Sequence, residues 1–134
     1  MSFECPNRVS LWLGDLPDRA FFKSYLDDTA YYSSEDYSIP LNRFAAEFGI
    51  PRYDHDFSEA HMSDAGPLPI PQLLAGTSYD TSFVPTAVRR AAELGCHTAN
   101  SFVLLYDFDY SPAPAPREPV SLTFIGAFDY TKTE

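Results

Sequence analysis

Asp54, His55, Asp56, Glu59 and His61 form the most enzyme-like cluster in the chain, with enough oxygen and nitrogen donors for a divalent metal. Their spacing argues against it. Read as a strand, Tyr53 to His61 places Tyr53, His55, Phe57, Glu59 and His61 on one side and Asp54, Asp56, Ser58 and Ala60 on the other, so the ligands divide between two faces. No HxxxH, HExxH or EF-hand pattern is present. A solvated acidic strand is the ordinary reading, and the alternative functions are a small metal-dependent hydrolase on Asp54, His55, Asp56 and His61 or a structural adaptor for a basic protein.

Asp107 and Asp109 are a second acidic pair, two apart on one face of a strand. They could serve glycosidic or phosphoryl chemistry only with a second acidic set across a cleft. Otherwise they present two charges to arginines of a partner, or emerge into water at a strand end. Ser101 and Cys96 lie near His97, but adjacency in sequence is not a triad and there is no GxSxG elbow. Gly14, Gly49, Gly66, Gly76, Gly95 and Gly126 are dispersed, which leaves no phosphate-binding loop and no cofactor to expect. These readings favour a protein that is not an enzyme.

Tyrosine mixed with acid is the more informative pattern. It recurs in Asp27 to Tyr37, Tyr53 to Glu59, Tyr106 to Tyr110 and Asp129 to Tyr130. Tyrosine buries a ring while keeping a polar tip, which suits interfaces. With 19 acidic against 9 basic residues, a net charge of -10, direct binding of nucleic acid or an anionic membrane is disfavoured and a basic protein partner is favoured. The contact residues expected first are Asp54, Asp56, Glu59, Asp107 and Asp109. Asp27, Asp28, Glu35 and Asp36 come second, and Tyr31, Tyr32, Tyr37, Tyr106 and Tyr110 supply contact area.

The elements that must position these residues follow from periodicity. Arg8 to Leu13 alternates as a first strand, with Val9, Leu11 and Leu13 opposite Ser10 and Trp12. Asp18 to Leu26 reads as a helix with Asp15 as its cap, and Asp27 to Ser38 as a loop. Pro40 to Phe48 reads as a helix ended by Gly49. Met62 to Pro71 is a proline-rich connection leading to a turn of helix near Gln72 to Ala75. Thr81 or Ser82 can cap a helix with Phe83, Ala87, Val88, Ala91 and Leu94 as its buried stripe.

Ser101 to Tyr110 is a strand whose run Val103 to Leu105 is buried on both faces and whose end offers an aromatic and an acidic face. Ser111 to Pro119 breaks it, and Val120 to Tyr130 alternates again, with Leu122, Phe124 and Phe128 on one side. The reading is α+β, one domain over residues 1–134: a mostly antiparallel sheet of about four strands, helices packed on one face and a C-terminal β-hairpin. Cys5 and Cys96 have no paired spacing and read as reduced thiols. No signal or membrane-spanning stretch is apparent, which points to the cytoplasm.

Six segments together carry a resemblance: VSLWLGDL at Val9 to Leu16, SIPLNRFAAEFGI at Ser38 to Ile50, YDHDFSEA at Tyr53 to Ala60, TSYDTSFVP at Thr77 to Pro85, LLYDFDY at Leu104 to Tyr110 and LTFIGAFDY at Leu122 to Tyr130. In this order they resemble the immunity 22 family. The resemblance implies a bacterial immunity protein, encoded beside a polymorphic toxin, that binds and blocks a cognate toxin effector domain in the producing cell. Such toxins are often nucleases, and a basic nuclease site suits an acidic inhibitor. The chain departs from the family's pattern in the tyrosine-rich Asp27 to Ser38 and proline-rich Ser111 to Pro119 segments, and no catalytic residue is carried over.

Overall fold

The computed structural model describes residues 3–34, 39–111 and 121–132. Along the chain run β1 (Glu4–Gly14), α1 (Arg19–Tyr25), α2 (Thr29–Ser33), α3 (Arg43–Phe48), a 3-10 turn (His55–Phe57), β2 (Ser58–Met62), β3 (Leu68–Pro69), α4 (Ile70–Leu73), α5 (Asp80–Glu93), β4 (Thr98–Ala99), β5 (Ser101–Phe108) and β6 (Thr123–Asp129). Four strands form an antiparallel sheet in the order β2-β5-β1-β6, and β3 pairs with β4 apart from it. The α+β reading with a four-stranded antiparallel sheet holds.

Two details of that reading change. β5 and β6 do not form a hairpin, because β1 lies between them and pairs with both. Helices also cover both faces of the sheet. Val9, Leu11, Leu13, Phe102 and Leu104 pack with Ile70, Leu74, Phe83, Ala87 and Ala91 of the α4–α5 side. Trp12, Val103 and Leu105 pack with Tyr25, Leu41, Phe44 and Phe48 of the α1–α3 side. The continuous run Val103 to Leu105 has the physical signature of this arrangement, since a strand sandwiched between two layers has no polar face to spare.

Register breaks re-aim the aromatic residues. Asp107 adopts a left-handed conformation at φ 52, and β1 uses more residues than β5 between the pairs Val9–Tyr106 and Glu4–Phe108. Tyr106 therefore packs on the α4–α5 side, whereas Phe108 and Tyr110 join the Trp12 side. The single aromatic face expected here does not exist. A second break between Leu11 and Trp12 skips Ile125 in β6, so Phe124 and Phe128 also part to opposite layers.

Local chemistry sets the helix ends. Asp18, not Asp15, caps α1, its carboxylate accepting from the Phe21 N–H at 2.8 Å. Asp15 instead accepts from the Asn100 N–H at 3.0 Å, tying the end of β1 to the start of β5. Asn42 caps α3 through the Ala45 N–H, and Gly49 closes it at φ 64. The segment expected to be a loop contains the one-turn helix α2, and α5 begins at Asp80, ahead of Thr81 and Ser82. Leu94, expected in the buried stripe of α5, is exposed.

Two buried polar groups tie distant segments together. Glu47 accepts from Tyr25 Oη at 2.8 Å, the Ser121 N–H at 2.9 Å and Arg43 Nε at 3.2 Å, linking α1, α3 and the approach to β6. Burial, then this contact with Glu47, pushes the Tyr25 phenol up. Ser10, fully buried, donates to the Phe108 carbonyl at 2.7 Å and accepts from the Tyr110 N–H at 3.0 Å. These bonds hold the chain where β5 ends.

Candidate functional site

An open cleft of about 540 Å³ lies beside the start of β1, lined by Glu4, Asp28, Tyr32, Arg52, Tyr53, Asp54, His55 and Asp56. Its acids come from three separate parts of the chain. Asp27 accepts from the Thr29 N–H at 2.9 Å, starting α2, and hydrogen bonds from the Thr29 side chain, then from this N–H, hold its carboxyl below the usual range. Asp28 then stands at the cap position of α2, with Oδ2 3.4 Å from His55 Nδ1. Asp54 accepts from the Asp56 N–H at 3.0 Å and thereby turns the chain into the 3-10 segment. The strand expected over Tyr53 to His61 begins only at Ser58 for this reason.

Aromatic residues frame these charges. Tyr32, 59% exposed, stands edge-to-face against buried Tyr31 with ring centroids 5.1 Å apart. Tyr53 is buried, its hydroxyl accepting from Asn42 Nδ2 at 2.9 Å, and burial pushes its phenol up. A second depression of about 330 Å³ shares Glu4, Arg52, Tyr53 and Asp54 with the cleft and continues it over Phe57, Tyr106 and Phe108. Four carboxylates against one arginine give the cleft a negative field.

The structure thus joins Asp54 and Asp56 of the first expected set with Asp28 of the second, and brings Tyr32 beside them. It separates the others. Glu59 Oε1 accepts from Tyr106 Oη at 2.5 Å and the Ser78 N–H at 2.7 Å. Burial, then Glu59, raises the Tyr106 phenol. Asp107 accepts from the Asn7 N–H at 2.9 Å, Tyr130 Oη at 2.7 Å and Lys132 Nζ at 2.7 Å. Its partial burial works to raise its carboxyl, but the three donors outweigh that and leave it below the usual range.

Asp109 lies 3.8 Å from Arg8, and Asp27 is exposed outside the cleft. Tyr31, Tyr106 and Tyr110, expected as contact area, are buried core residues instead. Tyr110 donates to the Phe48 carbonyl at 2.9 Å, so its polar tip is used within the fold. Glu35, Asp36 and Tyr37 lie outside the described residues. Glu4 and Arg52 are the lining residues that periodicity missed: neither sits in a motif, and only the long reach of β1 brings Glu4 to the cleft.

Among the described residues, no group of three or more His, Cys, Asp and Glu side chains is placed to hold a metal ion. Asp54, His55 and Asp56 line the cleft while His61 lines a different groove, on the α4 side of β2. The hydrolase alternative therefore loses its ligand set. No helix among the described residues is long and apolar enough to cross a membrane.

The sequence profile of the family described as Immunity protein 22 matches residues 9–131. The chain belongs to that family. It is an immunity protein, and membership implies a cognate toxin as its partner. No curated protein and no solved structure matches the chain. The matched span contains Asp28, Tyr32, Asp54 and Asp56 of the cleft, while Glu4 precedes it.

Proposed function

We propose that this immunity protein is a non-enzymatic inhibitor that neutralises a nuclease toxin in the cytoplasm of the producing cell, by seating its acidic cleft on the toxin's phosphate-attracting surface. The observation that carries the reading is the convergence of Glu4, Asp28, Asp54 and Asp56 around an exposed tyrosine. A nuclease must attract phosphate, so its substrate surface is basic, and carboxylates can form charge-assisted and bidentate contacts with its arginines. The net charge of -10 steers the encounter and makes it salt-sensitive.

Asp28, Asp54 and Asp56 make the charged contacts in this reading, and Tyr32 supplies the aromatic anchor. Asp27 precedes Asp28 outside the cleft, Asp109 lies beside Arg8, and Glu35, Asp36 and Tyr37 extend the same acidic segment in sequence. Glu59 and Asp107 contribute to the field while their carboxylates are held by internal donors.

The test is co-expression with the toxin domain encoded beside it, followed by titration of the purified pair. Cells should survive, and Asp54→Lys with Asp56→Lys should weaken binding by more than about a hundredfold at low salt. The melting temperature should fall by no more than about 5 °C, since both side chains are exposed and the one bond lost is the Asp54 cap on the Asp56 N–H. Cells that die as fast with the protein as without it sink the immunity contact, and a doubly reversed variant that binds as tightly removes the cleft from it.

A further inference from the structure

β2 is one edge of the sheet, with β5 on one side and, among the described residues, no strand on the other. Two hydrogen bonds reveal which of its backbone groups face outward. The Ser63 N–H donates to the Asn100 carbonyl at 2.7 Å, so residue 63 points toward β5. Successive residues of a strand direct their backbone groups to alternate sides, so Glu59 and His61 also point toward β5, while Ser58, Ala60 and Met62 point outward. Arg19 agrees with this parity, donating to the Met62 carbonyl at 3.1 Å from α1.

The open edge is flanked by two grooves. On the α1 side, Phe22, Leu26 and Val103 line one of about 250 Å³, and on the α4 side Glu59, His61 and Phe102 line one of about 570 Å³. Ser58 and Ala60 border both, and Ala60 and His61 are exposed. This is the geometry of strand addition, in which backbone bonds form along the edge and side chains above and below meet the grooves.

We propose that the occupant is a second copy of this chain, its β2 pairing antiparallel with β2 about a two-fold axis at Ala60. Ala60 then faces Ala60 of the partner subunit as a reciprocal hydrogen-bonded pair, and Ser58 faces Met62 of the partner subunit, where the Met62 N–H remains to donate because Arg19 already bonds its carbonyl. Glu59 falls opposite His61 of the partner subunit at the closer, non-hydrogen-bonded position. This hydrogen-bonding complementarity, a carboxylate opposite an imidazole N–H, selects a second copy over an arbitrary strand, because the symmetry repeats it twice. Tyr106 and Ser78 both bond Glu59 through Oε1, which fixes the carboxylate and spares Oε2 from these two donors.

Sedimentation equilibrium of the intact protein from about 1 to 200 μM tests the pairing. A dimer is expected, weakened about fivefold by His61→Glu and tightened by a similar factor by His61→Lys, from two symmetric cross-strand pairs. Ala60→Pro removes an outward N–H from each copy and should give a monomer, with near-UV circular dichroism verifying its fold. The exposed His61 variants keep the test decisive if Ala60→Pro misfolds. A monomer at every concentration overturns the proposal, as does a dimer indifferent to both charge changes. A monomeric wild type whose toxin binding is abolished by Ala60→Pro also overturns it, in favour of a toxin strand on this edge.

Discussion

Replacing Asp107 separates a structural carboxylate from a partner-binding one. Its side chain accepts from Tyr130, Lys132 and the Asn7 N–H, joining β5 to β1 and to the segment after β6. Removing them in Asp107→Ala forfeits a charge-assisted bond of about 1.5 kcal/mol, a backbone bond of about 1 kcal/mol and a partly exposed ion pair of about 0.5 kcal/mol. Alanine at φ 52 adds about 1 kcal/mol, while water reaching this partly exposed site returns a similar amount. The net is about 3 kcal/mol, or roughly 10 °C in melting temperature for a chain of this size. Asp107→Asn keeps an acceptor and a side chain tolerant of that conformation, so about 1 kcal/mol is expected. Asp107→Gly should fall between them, because glycine relieves the backbone strain.

The pH dependence has a definite sign. The folded protein holds the Asp107 carboxyl below its ordinary 3.8, so the carboxylate's contribution is complete well above that value and is lost as pH falls through the lowered one. Urea melts of wild type and Asp107→Asn at a series of pH values should therefore differ at pH 7 and converge toward about pH 2. An Asp107→Ala protein that melts with wild type yet fails to bind the toxin would refute the structural assignment.

Other outcomes follow from buried and strained positions. Glu47→Ala strands the Tyr25 hydroxyl and the Ser121 N–H in the core and should cost about 3 kcal/mol by urea denaturation, with Glu47→Gln costing about half as much. Gly49→Ala should cost only about 1 kcal/mol in the same assay: no atom lies within 4 Å of the added Cβ, so the penalty is the left-handed backbone at φ +64 alone.

Much of the framework was legible from local pattern. The alternation of Val9, Leu11 and Leu13 against Ser10 and Trp12 marked β1 as a strand, though with helices expected on one face only, and Gly49 marked the end of α3 because local sterics alone decide a left-handed cap. The run Val103 to Leu105 likewise announced burial on both faces, since three successive apolar residues leave no side for water. The tyrosines read as contact area were less legible. Composition cannot distinguish a tyrosine whose hydroxyl meets a buried partner from one whose hydroxyl meets solvent, and Tyr106 and Tyr110 found theirs in Glu59 and the Phe48 carbonyl.

What the sequence determined by itself were the periods, the helix stops and the acidic balance, all properties of neighbouring residues or of simple sums. Tertiary structure decided parity and convergence. The breaks at Asp107 and Ile125 exist only because β1 pairs with β5 and β6 at particular registers, and each break moves later side chains to the other layer. The cleft is likewise a product of distance in sequence. Glu4, Asp28 and Asp54 belong to no common period, and they share one field because the long β1, the turn into α2 and the capped 3-10 segment end at the same place.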